Sequence, residues 1–270
     1  MAVHPVSRVI GSVLLLVVAG LAAPAPASAD LGNCYPYDGL QPHQGGAEHD
    51  VSSSSRGVYG LITLRFPDLC NTPQKDPFGS WDTASTVYVM VTNYGNQGAY
   101  GRWYQVGHVR QKGNGCAYHY MQYNPGDGSP IVTDLGPCAT PNGTKYRYYI
   151  QKLSDDLGFF WDSRVLYDSN GALAYAFNGD PSSLAWTTED GEYSSEVINE
   201  HDQSGGGNLT RAKLENAGYY NSSLTLVNAD IPATDRFCQL CNPSTNGFPV
   251  GPYNTNWTNT RSFEIWTDGF

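Results

Sequence analysis

The chain has 270 residues and a formal net charge of −10, from 15 Lys plus Arg against 25 Asp plus Glu. That balance argues against a nucleic-acid partner, since phosphate backbones are met by a positive footprint. Nineteen Tyr and six Trp beside only three Met favour strands over helices.

The chain opens with Arg8, an apolar run from Val9 to Ala23, and Ala27-Ser28-Ala29, the small-x-small pattern of a signal-peptidase site. The run is about 15 residues long, short of the roughly 20 that span a bilayer. Residues 1–29 are therefore expected to be a removable export signal, giving a secreted, extracellular chain from Asp30 with no membrane association once the signal is cut. Loss of Arg8 makes the formal charge one unit more negative.

Residues 30–56 are polar and rich in Gly, Pro and Ser, and read as an irregular N-terminal arm. From residue 57 onward, short runs rich in β-branched and aromatic residues alternate with turn clusters. These are Val58–Phe66, Thr86–Asn93, Trp103–Gln111, Ala117–Tyr123, Tyr146–Leu153, Phe159–Tyr167, Leu173–Phe177, Ser194–His201, Leu224–Asn228 and Ser262–Thr267. Asn170-Gly171 between two of them suits the positive-φ positions of a tight hairpin turn. Strands without crossover helices predict an all-β fold, an antiparallel two-sheet sandwich of jelly-roll or lectin-like type, as one domain over residues 57–270.

An even cysteine count outside the cell reads as a disulfide framework of Cys34, Cys70, Cys116, Cys138, Cys238 and Cys241. Cys116 and Cys138 flank the turn-rich stretch Asn124-Pro125-Gly126-Asp127-Gly128, which favours a bridge between them. Such a bridge stabilises by about 3 kcal/mol in the chain-entropy model. Cys238-x-x-Cys241 has no second pair to complete a zinc site, and a structural role fits it better.

Alternation puts Trp103, Gln105, Gly107, Val109 and Gln111 on one face of their strand. Ser194, Glu196, Ile198 and Glu200 likewise share a face of theirs. Glu196-Val-Ile-Asn-Glu200 resembles the Glu-x-Ile-x-Glu strand of the eqolisin glutamic peptidases. Tyr104-Gln105-Val106-Gly107 resembles that family's Leu-Gln-x-Gly strand. Ser195-Glu196-Val-Ile-Asn199 is also similar to the Gly-Glu-Val-Val-Asn stretch of neprosin-type peptidases, where a second Glu stands at the place of Gln105. Val197 stands where eqolisins have Trp.

The resemblance implies an acid-active glutamic endopeptidase. Glu196 would be the base that takes the proton of an attacking water and then the acid that gives it to the leaving nitrogen, and Gln105 would orient that water and stabilise the oxyanion. The two side chains would lie on facing or adjacent strands, roughly 4–6 Å apart, to share a water within hydrogen-bond reach. Trp103 and Glu200 would border the bound polymer, with Gly107 leaving room for it.

Two other readings compete. A non-catalytic lectin-like module would bind polysaccharide or peptide through Trp81, Trp103, Trp161 or Trp186. A glycoside hydrolase needs two carboxyls roughly 5–9.5 Å apart. Glu196 and Glu200 lie about 13 Å apart along a regular strand, so Glu264 or Glu48 would have to complete the pair. The partner in all three cases is an extracellular polypeptide or polysaccharide. His108, His119 and His201 have no metal-ligand spacing, and neither a metal nor another cofactor is expected. Asn142, Asn208, Asn221 and Asn256 stand in glycosylation acceptor patterns.

Overall fold

A computed structural model of the protein describes residues 43–51, 54–67, 69, 84–93, 102–111, 116–124, 132–139, 142–155, 158–177, 190–197, 211–238 and 254–266. Within them the chain forms β1 (His43–Asp50), β2 (Gly57–Thr63), β3 (Ala84–Asn93), β4 (Arg102–Gln111), β5 (Ala117–Asn124), β6 (Val132–Ala139), β7 (Lys145–Asp155) and β8 (Gly158–Tyr167). β9 (Leu173–Phe177), β10 (Asp190–Val197), β11 (Ala212–Tyr220), β12 (Leu226–Asn228), β13 (Arg236–Cys238), β14 (Asn254–Asn259) and β15 (Ser262–Trp266) follow, with a single 3₁₀ turn at Ala233–Asp235. No helix among the described residues is long and apolar enough to cross a membrane.

Two antiparallel sheets pack against each other as a sandwich, the architecture the sequence predicts. One runs β13-β1-β10-β3-β4-β5-β6. The other runs β14-β15-β11-β2-β7-β8-β9, with β12 paired to β11 beside that path.

The strands the sequence concealed have local reasons for it. His43–Asp50, expected to be irregular, is β1, held between β10 and β13 despite its low-propensity composition. β6 carries Gly136 and Pro137, which an outermost strand tolerates. β11 bulges between Glu215 and Gly218, where Asn216 takes a φ of 55°, so strict alternation breaks there. The strand expected at Ser194–His201 begins four residues earlier, at Asp190, and is described as far as Val197. At the β8–β9 turn only Gly171 takes a positive φ. Asn170 instead uses its Oδ1 to accept from the Ala172 N–H at 2.9 Å.

The core lies between the sheets and includes Val87, Val89, Val91, Tyr104, Val106 and Tyr193 from one, and Val58, Ile62, Tyr148, Ile150, Trp161 and Leu214 from the other. Each such side chain contributes roughly 1.5–3 kcal/mol on burial. Buried tyrosines also stitch the layers by hydrogen bonds. Tyr193 donates to the Gly218 carbonyl at 2.7 Å, Tyr104 pairs with Ser163 at 2.7 Å, and His119 Nδ1 pairs with the Tyr148 hydroxyl at 2.8 Å.

The expected Cys116–Cys138 bridge is present and ties the start of β5 to β6. Cys34, Cys70, Cys241 and the export signal lie outside the described residues, as does the Cys238 side chain.

Candidate functional site

Because Val87, Val89 and Val91 face the core, Thr86, Tyr88, Met90 and Thr92 point away from it, and pairing carries this alternation across the sheet. The outward face reads in rows. One row runs Gln44, Glu196, Thr86, Val109 and Tyr118. The next runs Gly46, Ser194, Tyr88, Gly107 and Tyr120, and the third Glu48, Glu192, Met90, Gln105 and Gln122.

Gln105 and Glu196 therefore share a face of one sheet. They are not neighbours: β3 lies between their strands and they stand four residues apart along it. That offset is roughly 16 Å between Cα atoms, from strand spacing and rise. It is too far for the two groups to share one water, so the expected 4–6 Å dyad does not form. Gln105's own row carries two carboxyls, Glu192 two strands away across Met90 and Glu48 on the strand beyond it.

Glu192 is 4% exposed and Gln105 5% exposed, although both point away from the main core. Around them Tyr88, Met90, Val109 and Tyr120 form a second buried cluster, with Trp103 packed against it as a partly buried border. Tyr88 organises the polar groups. Its hydroxyl donates to Glu192 Oε1 at 2.7 Å and accepts from Gln44 Nε2 at 3.1 Å, and the same Gln44 amide donates to Glu196 Oε2 at 3.3 Å. Ser194 and Gly46, the small residues in Tyr88's row, leave the ring space to reach β1. Ser194 hydrogen-bonds the backbone carbonyls of Gly45 and Ser195 and also the Glu192 carboxyl, where it opposes the rise that burial imposes.

Burial pushes the Glu192 carboxyl up to about 8. The Tyr88 hydrogen bond opposes this, while the charges of Glu48 and Glu196 add to it. Glu192 is thus protonated at neutral pH, with a second carboxyl, Glu196, on the same face of its own strand. Burial first, then the negative charges of Glu192 and Glu196, push the Tyr88 hydroxyl well above its ordinary value. The Tyr120 hydroxyl is also pushed well above it, by burial and then by Glu196.

Gln105 Nε2 donates to Gln122 Oε1 at 2.9 Å, and Gln122 passes the chain on to Thr133 Oγ1 at 3.0 Å. Gly107 leaves no room for a ligand. A Cβ there would lie 2.8 Å from the Tyr88 Cβ, so the glycine permits close strand approach instead.

Other candidates fall elsewhere. Trp161 is buried in the main core against Tyr104 and is no platform. Glu264 is on β15 of the other sheet, ion-paired to Arg211 and Lys213. His108 and His119 face each other across β4 and β5 inside the sandwich, where burial holds them down to about 3 and about 4. Among the described residues no His, Cys, Asp or Glu group could hold a metal. Glu200, Ile198, His201, Trp81 and Trp186 lie outside the described residues.

Sequence reasoning missed Glu192, Gln44 and the role of Tyr88. The signal for Glu192 was its place four residues before Glu196, on the same face, had the strand been started at Asp190. Gln44 lay within the stretch read as an irregular arm. Neither a scan of protein-family models nor a search of curated proteins returns a match to this chain.

Proposed function

We propose that the protein is a secreted, acid-active glutamic-type endopeptidase whose site is the outward face of the seven-stranded sheet. The observation that carries this reading is the pair of carboxyls Glu192 and Glu196, joined through Tyr88 and Gln44, with burial pushing Glu192 up to about 8. Two carboxyls whose surroundings drive their affinities for protons apart supply an acid and a base at one pH.

Glu196, ionised, takes a proton from the water that attacks the peptide carbonyl. Glu192, protonated, gives its proton to the leaving nitrogen as the C–N bond breaks. Each is then in the other's starting state, and proton exchange with solvent resets them. Gln105, roughly 16 Å from Glu196 and turned to Gln122, stands too far from that carbonyl to meet its oxyanion and takes no part in the step. The similarity of Glu196–Glu200 and Tyr104–Gly107 to the glutamic-peptidase strands supports a polypeptide substrate.

The test is digestion of denatured casein by the mature protein between pH 3 and 7. Glu196→Gln and Glu192→Gln are each expected to abolish cleavage with the fold intact. Gln105→Ala, which alters a side chain roughly 16 Å from Glu196, is expected to leave cleavage in place. Full activity in Glu192→Gln would reject the carboxyl pair. Full activity in both Glu variants would reject the site.

One measurement favours a second reading. The three contacts from Glu196 through Gln44 and Tyr88 to Glu192 keep two carboxyl oxygens no more than about 9 Å apart, below the upper limit for a glycosidase pair. Reducing-sugar release from a polysaccharide, with casein left intact, would select that alternative.

A further inference from the structure

The opposite outer surface of the sandwich carries a different assembly. Val58 and Ile62 of β2, and Tyr148 and Ile150 of β7, face the core, so Tyr59, Arg147, Tyr149 and Gln151 face outward. Tyr59 and Tyr149 are direct cross-strand partners. The bulge at Asn216 shifts β11 so that Gly218, without a side chain, stands beside Tyr59. Tyr220 comes up next to Tyr149, ring centroids 6.5 Å apart and edge to face. Gln151 is hydrogen-bonded to Tyr220, and Arg164, Tyr149's partner on β8, to Tyr149. All three tyrosines are partly exposed.

The charges in this patch are internally balanced. Arg164 is paired with Asp162 at 3.0 Å, and Arg147 with Asp168 at 2.7 Å. The surface therefore offers ring faces, hydroxyls, an amide and guanidinium N–H groups, with each positive charge matched by a neighbouring negative one. That chemistry suits an uncharged, polyhydroxylated ligand: the C–H faces of a sugar ring lie on aromatic rings, and its hydroxyls meet fixed donors and acceptors. An anionic or cationic polymer would have to break the ion pairs to gain from the charges.

From this we infer that the outward face of β2, β7 and β8, with Tyr59, Tyr149 and Tyr220 at its centre, is a binding surface for a neutral pyranose polymer. It lies on the other side of the molecule from the carboxyl pair, so it would hold the protein to polysaccharide without occupying the hydrolytic face.

The experiment is co-sedimentation of the mature protein with microcrystalline cellulose and with insoluble chitin, with cross-linked polygalacturonate as the anionic control. Retention on at least one neutral polymer, unchanged in 1 M NaCl, is expected. Tyr149→Ala and Tyr220→Ala should each lower the partition ratio by about tenfold, the loss of one stacked ring. Glu192→Gln and Glu196→Gln should leave it unchanged. Should either tyrosine variant fail to fold, the exposed Arg164→Gln replaces it and is expected to weaken retention in the same direction. The inference is overturned if neither neutral polymer retains the protein. Folded tyrosine variants that bind like the parent, or retention confined to polygalacturonate and lost in salt, overturn it too. Because the carboxyl variants are read by retention alone, a failure of this surface and a failure of the hydrolytic site give different results.

Discussion

Tyr88 connects packing to chemistry at a single side chain. Its ring belongs to the buried cluster on the outward face, and its hydroxyl donates to one catalytic candidate while accepting from the amide that holds the other. Donation to Glu192 favours the ionised carboxylate, so it tempers the rise that burial imposes. Tyr88→Phe keeps the ring and removes that tempering. The expected result is a further upward shift of the Glu192 carboxyl, read from its carboxyl carbon signal in an NMR titration. A stability loss of about 1–3 kcal/mol should accompany it, because Glu192 loses a partner in a buried setting. An unchanged or lowered Glu192 midpoint would contradict the assigned direction of the hydrogen bond.

At the level of strands, a glycine lets the two sheets meet where a side chain would collide. Gly60 of β2 faces β3 across the interface, and a Cβ there would lie 2.6 Å from Val89 Cγ1 and 3.5 Å from Leu214 Cδ2. Gly60→Ala is therefore expected to destabilise by about 1–3 kcal/mol through overpacking, seen as a lower denaturant midpoint at unchanged slope. A stabilised variant would show that the layers part more easily than the contacts suggest. The strands that could be read from sequence share one trait: β3, β4, β5, β7 and β8 are rich in β-branched and aromatic residues, which favour extended backbone. β1 and β14 gave no such signal, since His-Gln-Gly-Gly and Asn-Thr-Asn hold their place by ladder hydrogen bonds rather than by propensity. For the site, alternation gave Gln105 and Glu196 each a face of its own strand, and the family resemblance alone put the two together. Alternation could not supply register, which follows from long-range pairing of β10 and β4 to β3. That is why Glu192, in Gln105's row, was not recognised.

For the molecule as a whole, three buried titratable groups set opposing limits on acid and base stability. His108 and His119 stay neutral in the folded chain down to about 3 and about 4, while the unfolded chain protonates them near 6.5. Stability is thus lost as pH falls from 6.5 toward those values. Glu192 has the reverse sign. The folded chain keeps its proton up to about 8 and the unfolded chain releases it near 4.5, so stability is lost as pH rises between them. Between 4.5 and 6.5 two imidazoles outweigh one carboxyl, and beyond 6.5 the carboxyl acts alone. Thermal midpoints are expected to peak near pH 6.5 and to fall on both sides, with Glu192→Gln flattening the alkaline limb. A midpoint that climbs steadily from pH 6.5 to 8 would contradict the buried, protonated carboxyl. Such a group is the kind of stability cost that functional sites tolerate.

The outermost strand of the seven-stranded sheet bears on how copies of this molecule meet. β6 sets Gly136 and Pro137 against the single residue His119 of β5, is bridged to the start of β5 by Cys116–Cys138, and lays Gly136 against the Tyr175 ring of the other sheet. A strand from a second molecule seeking to extend this sheet finds a ladder that is short, kinked and missing the N–H of proline. Self-association by edge-to-edge pairing is disfavoured on that side, so high local concentration does not by itself lead to polymers growing through β6.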